Sequence, residues 1–154
     1  MSLSDEIGVL LVEDNPDDAE FTLRALRKAN VSLNVVLVDN GVKALEFVFG
    51  TGAYQERSGN KLPRVMLLDL KLPKVDGLEV LHRIKSDDRL KMIPVVVLTS
   101  SREERDMMRS YQLGVNAYVV KPVDFHEFVN AVKELGVFWA VINQPPPGSV
   151  KKVL

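Results

Sequence analysis

The chain has 154 residues, of which 46% are hydrophobic and 27% charged, so it can form one globular domain with a core but hardly two. The net charge of -1 and the absence of a long run of Lys or Arg argue against nucleic-acid binding, which requires a basic surface. The sequence contains no cysteine and no apolar stretch near the roughly 20 residues of a membrane-spanning helix, which excludes thiolate chemistry and predicts a cytoplasmic protein without a membrane attachment.

Five short apolar segments alternate with amphipathic segments along the chain. The predicted strands are residues 9–12, 35–38, 65–68, 95–98 and 117–120. These segments lack the polar alternation of a half-exposed strand, which is typical of strands buried on both faces of a parallel sheet. The order therefore predicts an α/β fold, a doubly wound parallel sheet of the (βα)5 type.

The helices are predicted from their start signals and apolar stripes. Asn15 is placed to cap the first helix, with Pro16 as its first residue, and Asp124 to cap the fifth. The other helices are predicted at residues 41–49, 77–86 and 102–113, the last with a capping box formed by Ser101 and Glu104. A long loop is expected at residues 50–63. We expect one domain over residues 5–143, followed by a Pro-rich flexible tail over residues 144–154.

Polar residues directly follow four of the five predicted strands. They are Glu13 and Asp14 after the first strand, Asp69 after the third, Thr99 at the end of the fourth and Lys121 after the fifth. Ligands of open parallel sheets bind beyond the carboxyl ends of the strands. We therefore expect three carboxylates, a hydroxyl and an ammonium group to meet at one edge.

Three adjacent carboxylates repel one another unless a cation joins them, which predicts a bound divalent metal ion. Mg²⁺ is favoured because it binds through a few carboxylates, water and a substrate phosphate. In this setting Asp69 can attack phosphorus to form an aspartyl phosphate, with Lys121 neutralising the phosphoryl oxygens and Thr99 hydrogen-bonding to one of them. Asp69 alone would be interpreted as a turn residue, and it is the set of four strand ends that favours the chemical role.

Two further acids, Asp17 and Asp18, lie in the first turn of the first helix. Acids there are stabilised by the helix dipole, and this is the role that we assign to both. Neither is placed in the predicted site.

Four segments of the chain resemble the response-regulator receiver domain of two-component signalling. They are LLVEDNPDDA at 10–19, VMLLDLKLPKVDGLEVL at 65–81, VVVLTSS at 95–101 and NAYVVKPVDFHEF at 116–128. The resemblance spans about residues 7–135 and implies a flavodoxin-like fold with strand order 2-1-3-4-5. It also implies that Glu13 and Asp14 position Mg²⁺ and that Asp69 is the phosphoacceptor.

The resemblance assigns roles to other positions as well. The Lys71 carbonyl becomes a metal ligand beside the three carboxylates, Thr99 the switch hydroxyl and Tyr118 the aromatic residue whose rotamer reports phosphorylation. Lys121 becomes the lysine of the site, and its bond to Pro122 is expected to be cis.

The segment NPDDAEFTLRAL, the long loop and the short C-terminal region resemble stand-alone regulators that partner phytochrome-type histidine kinases. The implied function is acceptance of a phosphoryl group from a sensor histidine kinase, followed by hydrolysis at the same site. Such a protein is a switch rather than an enzyme. Its fourth helix, fifth strand and fifth helix would form a face that binds a partner or a second copy in a homodimer.

Three other interpretations remain at this stage. A flavin-binding flavodoxin would need phosphate-binding Ser, Thr or Gly after the first strand, where this chain has Glu-Asp-Asn-Pro. A receiver-like interaction module without phosphorylation would fail to bind Mg²⁺. A receiver fragment of a longer regulator, without its output domain, would show a larger native mass.

Overall fold

The computed structural model describes residues 7–29, 34–57 and 62–137, in which five strands alternate with five helices. The strands are β1 Ile7–Val12, β2 Asn34–Val38, β3 Val65–Leu68, β4 Val95–Thr99 and β5 Ala117–Val120. The helices are α1 Pro16–Lys28, α2 Gly41–Phe49, α3 Gly77–Lys85, α4 Glu104–Gln112 and α5 Phe125–Val137. The expected long loop contains a 3-10 helix at Gly52–Arg57. The predicted tail, residues 144–154, lies outside the described residues.

The five strands form one sheet in the order β2-β1-β3-β4-β5, and every neighbouring pair is parallel. This confirms the flavodoxin-like doubly wound fold. The strand register pairs Val12 with Leu68 and Leu68 with Val97, so β1, β3 and β4 end at nearly the same level. The residues that follow these strands are thus brought to one edge of the sheet.

Two hydrophobic clusters cover the two faces of the sheet. Leu10 and Met66 face α2 and α3, whereas their strand neighbours Val9 and Val65 face α1 and α5. Consecutive strand residues point to opposite faces, so both faces being covered requires every position to be apolar. This explains why the strands appear in the sequence as continuous apolar segments.

The helix starts agree with the predictions at α1 and α5 but not at α4. The Asn15 side chain accepts hydrogen bonds from the backbone N–H groups of Asp17 and Asp18, at 2.9 and 3.1 Å. The predicted capping box of α4 is wrong, because the Ser101 hydroxyl donates to a carboxylate oxygen of Asp106 at 2.6 Å and α4 begins at Glu104. A buried carboxylate in the first turn of the helix is thus the main partner of this hydroxyl.

Gly77, the first residue of α3, lies against the end of β3. A Cβ atom at this position would collide with the backbone carbonyl oxygen of Asp69 and with the Cα atom of Leu70. The absence of a side chain therefore lets the N-terminus of α3 approach the backbone that carries Asp69. Within the described ranges, we find no helix with the length and apolar character needed to span a bilayer.

Candidate functional site

The backbone hydrogen bonds of the sheet continue one residue past the strands and align the polar side chains. The N–H of Glu13 donates to the carbonyl of Val38 at 3.0 Å, and that of Asp69 to the carbonyl of Val12 at 3.1 Å. Between β4 and β5, the N–H of Lys121 donates to the carbonyl of Thr99 at 2.8 Å. These side chains therefore emerge at the carboxyl edge, as the sequence predicts.

Glu13, Asp14 and Asp69 form a cluster in which one oxygen from each carboxylate lies within 4.8 Å of the others. Glu13 and Asp69 are buried, with exposures of 3% and 6%, and Asp14 is exposed. Such a donor set fits a hard divalent cation, because two carboxylates are held rigidly and the exposed side leaves room for water and substrate oxygens. The residues present therefore suit Mg²⁺.

The Lys121 ammonium group lies beside this cluster and contacts three carboxylates. Its Nζ atom is 2.7 Å from Glu13 Oε1, 2.8 Å from Asp18 Oδ2 and 3.2 Å from Asp69 Oδ2. The Lys121–Pro122 peptide bond is cis, as the resemblance implies. Asp18 was not placed in the site from the sequence, because its position in the first turn of α1 is shared with Asp17 and does not distinguish the two acids.

Burial and ion pairing shift the pKa values of Glu13 and Lys121, and the balance between the two effects differs at each residue. Desolvation raises the pKa of Glu13 from 4.5 to about 7; the hydrogen bond from Lys121 opposes this rise and the charge of Asp69 adds to it. Burial lowers the pKa of Lys121, but hydrogen bonds to Asp18 and Glu13 and the charge of Asp69 outweigh it, so the net pKa is raised. Lys121 is thus held as a cation. Its charge does not cancel the effect of burial on Glu13, whose pKa stays raised.

The two predicted switch residues are connected through Ser101. Thr99 is fully buried at the end of β4, and its Oγ1 accepts a long 3.4 Å hydrogen bond from the Ser101 N–H. Tyr118, half-buried in β5, donates from its hydroxyl to the Ser101 carbonyl at 3.1 Å. A displacement of Thr99 would therefore reach Tyr118 through the backbone of residues 99–101.

Lys71 contacts the site through its backbone and extends away from it through its side chain. Its N–H donates to Asp69 Oδ1 at 3.1 Å, which holds the carboxylate in one orientation. Its Nζ atom lies 3.7 Å from Asp106 Oδ2 on α4. The predicted role of the Lys71 carbonyl as a metal ligand stays a prediction.

The fold and this edge together define an open α/β domain with a polar ligand site at the carboxyl ends of its strands. Residues 9–133 match the family model of the response regulator receiver domain, and the chain belongs to this family. Receiver domains are signalling switches that histidine kinases phosphorylate, and they bind Mg²⁺ or Mn²⁺ at an acidic pocket.

Two curated relatives span nearly the whole chain. The probable methanogenesis regulatory protein FilR2 of Methanothrix harundinacea is 39% identical over 146 residues, which is 95% of this chain and 92% of FilR2. The response regulator Rcp1 of Synechocystis is 37% identical over 131 residues, 85% of this chain and 87% of Rcp1.

Solved structures of similar sequence have the same fold. The bacteriophytochrome response regulator AtBRR is 57% identical with a TM-score of 0.73, covering 90% of this chain and 99% of AtBRR. The phosphorylated cyanobacterial phytochrome response regulator RcpA is 40% identical with a TM-score of 0.79, covering 92% of this chain and 99% of RcpA. The Mn²⁺-bound form of Rcp1 is 36% identical with a TM-score of 0.78, covering 91% of this chain and 99% of Rcp1.

Proposed function

We propose that this receiver accepts a phosphoryl group on Asp69 from a sensor histidine kinase, in a reaction that depends on Mg²⁺. The observation that carries the proposal is the position of the buried Asp69 carboxylate, which clusters with the acids Glu13 and Asp14 and lies 3.2 Å from the ammonium nitrogen of Lys121. A carboxylate beside both a metal site and a fixed cation is suited to attack a phosphoryl group, whose negative charge both would neutralise.

In the proposed reaction, an oxygen of Asp69 forms a bond to phosphorus while the bond between phosphorus and the imidazole nitrogen of a phosphohistidine breaks. The electron pair of that bond leaves on the imidazole nitrogen. The Lys71 N–H orients the Asp69 carboxylate, and Lys121 donates to a phosphoryl oxygen. Glu13, Asp14, Asp69 and the Lys71 carbonyl would hold Mg²⁺, which would supply further charge neutralisation.

The same site ends the signal by hydrolysis. A water molecule attacks phosphorus, the bond to the Asp69 oxygen breaks, and inorganic phosphate leaves with the carboxylate restored. The protein is then a self-resetting switch rather than an enzyme with an external substrate.

The proposed output is a change at the face formed by α4, β5 and α5. The Thr99 hydroxyl would bond to the phosphoryl oxygen, and the movement would pass through Ser101 to Tyr118. Met108 and Tyr111 on α4 are exposed at 61% and 52%, which gives this face apolar surface for a partner or a second copy of the chain.

The phosphorylation step is tested by incubating the protein with Mg²⁺ and a small phosphodonor such as phosphoramidate, followed by intact mass measurement. The wild type should gain the mass of one phosphoryl group, and neither Asp69→Asn nor the wild type with a metal chelator should gain it. Asp88→Asn, which removes an exposed carboxylate in the segment between α3 and β4, is the control and should label normally. Labelling of Asp69→Asn would disprove the assignment of the phosphoacceptor.

We further propose that the kinase is of the phytochrome type, since RcpA and AtBRR are described as phytochrome and bacteriophytochrome response regulators. Phosphotransfer profiling against all histidine kinases of the host tests this: a phytochrome-type kinase should transfer fastest. Faster transfer from a kinase without a phytochrome sensor would contradict this part alone. The cytoplasmic location and the domain boundaries at residues 5 and 143 stay predictions.

A further inference from the structure

The ammonium group of Lys121 has no hydrogen-bond donor to spare. An ammonium group has three N–H donors, and three carboxylates of the described residues lie within hydrogen-bonding distance of Nζ. To bond to a phosphoryl oxygen, Lys121 must therefore release one of these carboxylates.

The three carboxylates differ in what else they can bind. Glu13 and Asp69 also belong to the acidic cluster suited to a divalent cation, whereas Asp18 does not. Glu13 and Asp69 would hold a divalent cation through the same carboxylates that now accept hydrogen bonds from Lys121. Asp18 is the carboxylate that stays available to Lys121.

Asp18 also differs from the other two in position. Its side chain is 42% exposed, against 2% for Glu13 and 7% for Asp69, so it contacts Lys121 from the solvent side of the site. With Phe21, Thr22, Pro122 and Lys121 it lines a small cleft of about 80 Å³ between α1 and the segment that follows β5. The contact thus lies at the mouth of the site.

The packing of α1 against α5 holds Asp18 at a defined distance from Lys121. The ring of Phe21, one helical turn after Asp18, stacks on Phe128 at 5.7 Å and meets the edge of Phe125 at 5.4 Å. The backbone N–H of Asp18 is itself fixed by the Asn15 cap at 3.1 Å. A carboxylate supported in this way loses little entropy when it holds the lysine.

We propose that Asp18 is a positioning residue for the phosphoryl transfer. It would anchor the Lys121 ammonium group at the mouth of the site while Glu13 holds the metal, so that the N–H group released from Glu13 faces the incoming phosphoryl oxygen. This inference rests on the proposed function of Asp69.

The test compares Asp18→Asn with Asp17→Asn, which removes the same charge from the neighbouring, exposed residue of the same helical turn. With a small phosphodonor and saturating Mg²⁺, the maximal rate of Asp69 labelling should fall about three- to tenfold in Asp18→Asn, the effect expected for one lost charge-assisted hydrogen bond at a partly exposed position. It should change less than about twofold in Asp17→Asn, where only long-range charge is lost. Asp18→Glu should recover most of the rate, and the donor concentration at half-maximal rate should hardly change.

A second measurement does not depend on phosphorylation. In metal-free protein, the exchange of the Lys121 ammonium protons with water, followed by ¹⁵N NMR of the side-chain nitrogen, should be faster in Asp18→Asn than in the wild type and unchanged in Asp17→Asn. In a Lys121→Gln background, Asp18→Asn should cause no further loss of labelling rate.

The outcomes separate the two proposals. If wild-type protein is not labelled on Asp69, the proposed function fails. If the wild type is labelled but Asp18→Asn and Asp17→Asn have equal rates and equal proton exchange, the positioning role of Asp18 is overturned. A further rate loss from Asp18→Asn in the Lys121→Gln background would also overturn it, because Asp18 would then act without the lysine.

Discussion

The ammonium group of Lys71 lies 3.7 Å from Oδ2 of Asp106, which joins the segment following Asp69 to the first turn of α4. The same Asp106 oxygen accepts a 2.6 Å hydrogen bond from the Ser101 hydroxyl, and the Ser101 carbonyl accepts one from Tyr118. The loop after β3, helix α4 and strand β5 are thereby connected by side chains. Asp106 is the central member of this connection.

The two partners of this ion pair should contribute very unequally to stability. The Lys71 side chain is 60% exposed, so Lys71→Met should change the free energy of unfolding by less than about 0.5 kcal/mol. Asp106→Ala should cost about 1–3 kcal/mol, because it leaves the buried Ser101 hydroxyl without its partner. Urea denaturation measures both. Ser101→Ala combined with Asp106→Ala should cost less than the sum of the single changes, and an additive result would contradict the coupling.

Gly77→Ala should disturb both the stability of the fold and the acceptor site. The added methyl group would collide with the backbone at Asp69 and Leu70, so α3 must move away, at a cost of about 1–3 kcal/mol. The melting temperature and the rate of Asp69 labelling should both decrease. Glu79→Ala, at an exposed position of the same helix, is the control and should change neither measurably. A normal labelling rate in Gly77→Ala would show that this close approach does not position Asp69.

Mg²⁺ binding should become tighter as the pH rises towards and beyond 7. The pKa of Glu13 is raised to about 7 in the folded protein, so below this pH a proton competes with the metal for the carboxylate. Displacement of one proton predicts an affinity about tenfold higher at pH 8 than at pH 6. Calorimetric titrations in buffers of different ionisation enthalpy at pH 6.5 should also detect proton release, and a pH-independent affinity would contradict the prediction.

The same pKa shift makes the metal-free protein less stable as the pH rises, whereas it makes Mg²⁺ binding tighter. The folded-state pKa of Glu13 lies above the ordinary value of 4.5, so the folded protein binds the proton more tightly than the unfolded chain does. The resulting stabilisation is fully present below pH 4.5 and is lost as the pH rises to about 7. Urea denaturation without metal should show this contribution decrease over that window in the wild type but not in Glu13→Gln.

Self-association, if it uses the face formed by α4, β5 and α5, should depend on Met108. Met108→Asp places a charge at an exposed apolar position of this face and should prevent the mass increase that we expect from phosphorylation of the wild type, as measured by light scattering. Met92→Asp makes the same change at another exposed methionine, in the 3-10 helix Leu90–Met92, and should leave association intact. Equal effects of the two variants would exclude this face as the interface.

The sequence by itself determined the elements and the residues that end at the carboxyl edge. Strands buried on both faces must be apolar throughout, so their limits are visible, and Asn15 and Asp124 begin their helices through local hydrogen bonds that need no distant partner. Because parallel strands end at a common edge, Glu13, Asp69 and Lys121 were expected to meet, and they do.

Only the tertiary structure decided which of the other polar residues join them. Asp17 and Asp18 are equivalent in the sequence as first-turn acids, and the packing of Phe21 against α5 selects Asp18 as a partner of Lys121. Ser101 carried the local signal of a capping box, but α4 approaches so that its hydroxyl binds Asp106 instead. The first outcome depends on how α1 lies against a residue 103 positions away, a distance that packing sets and sequence spacing does not. The second depends on α4 beginning at Glu104, which places Asp106, five positions after Ser101, beside its hydroxyl.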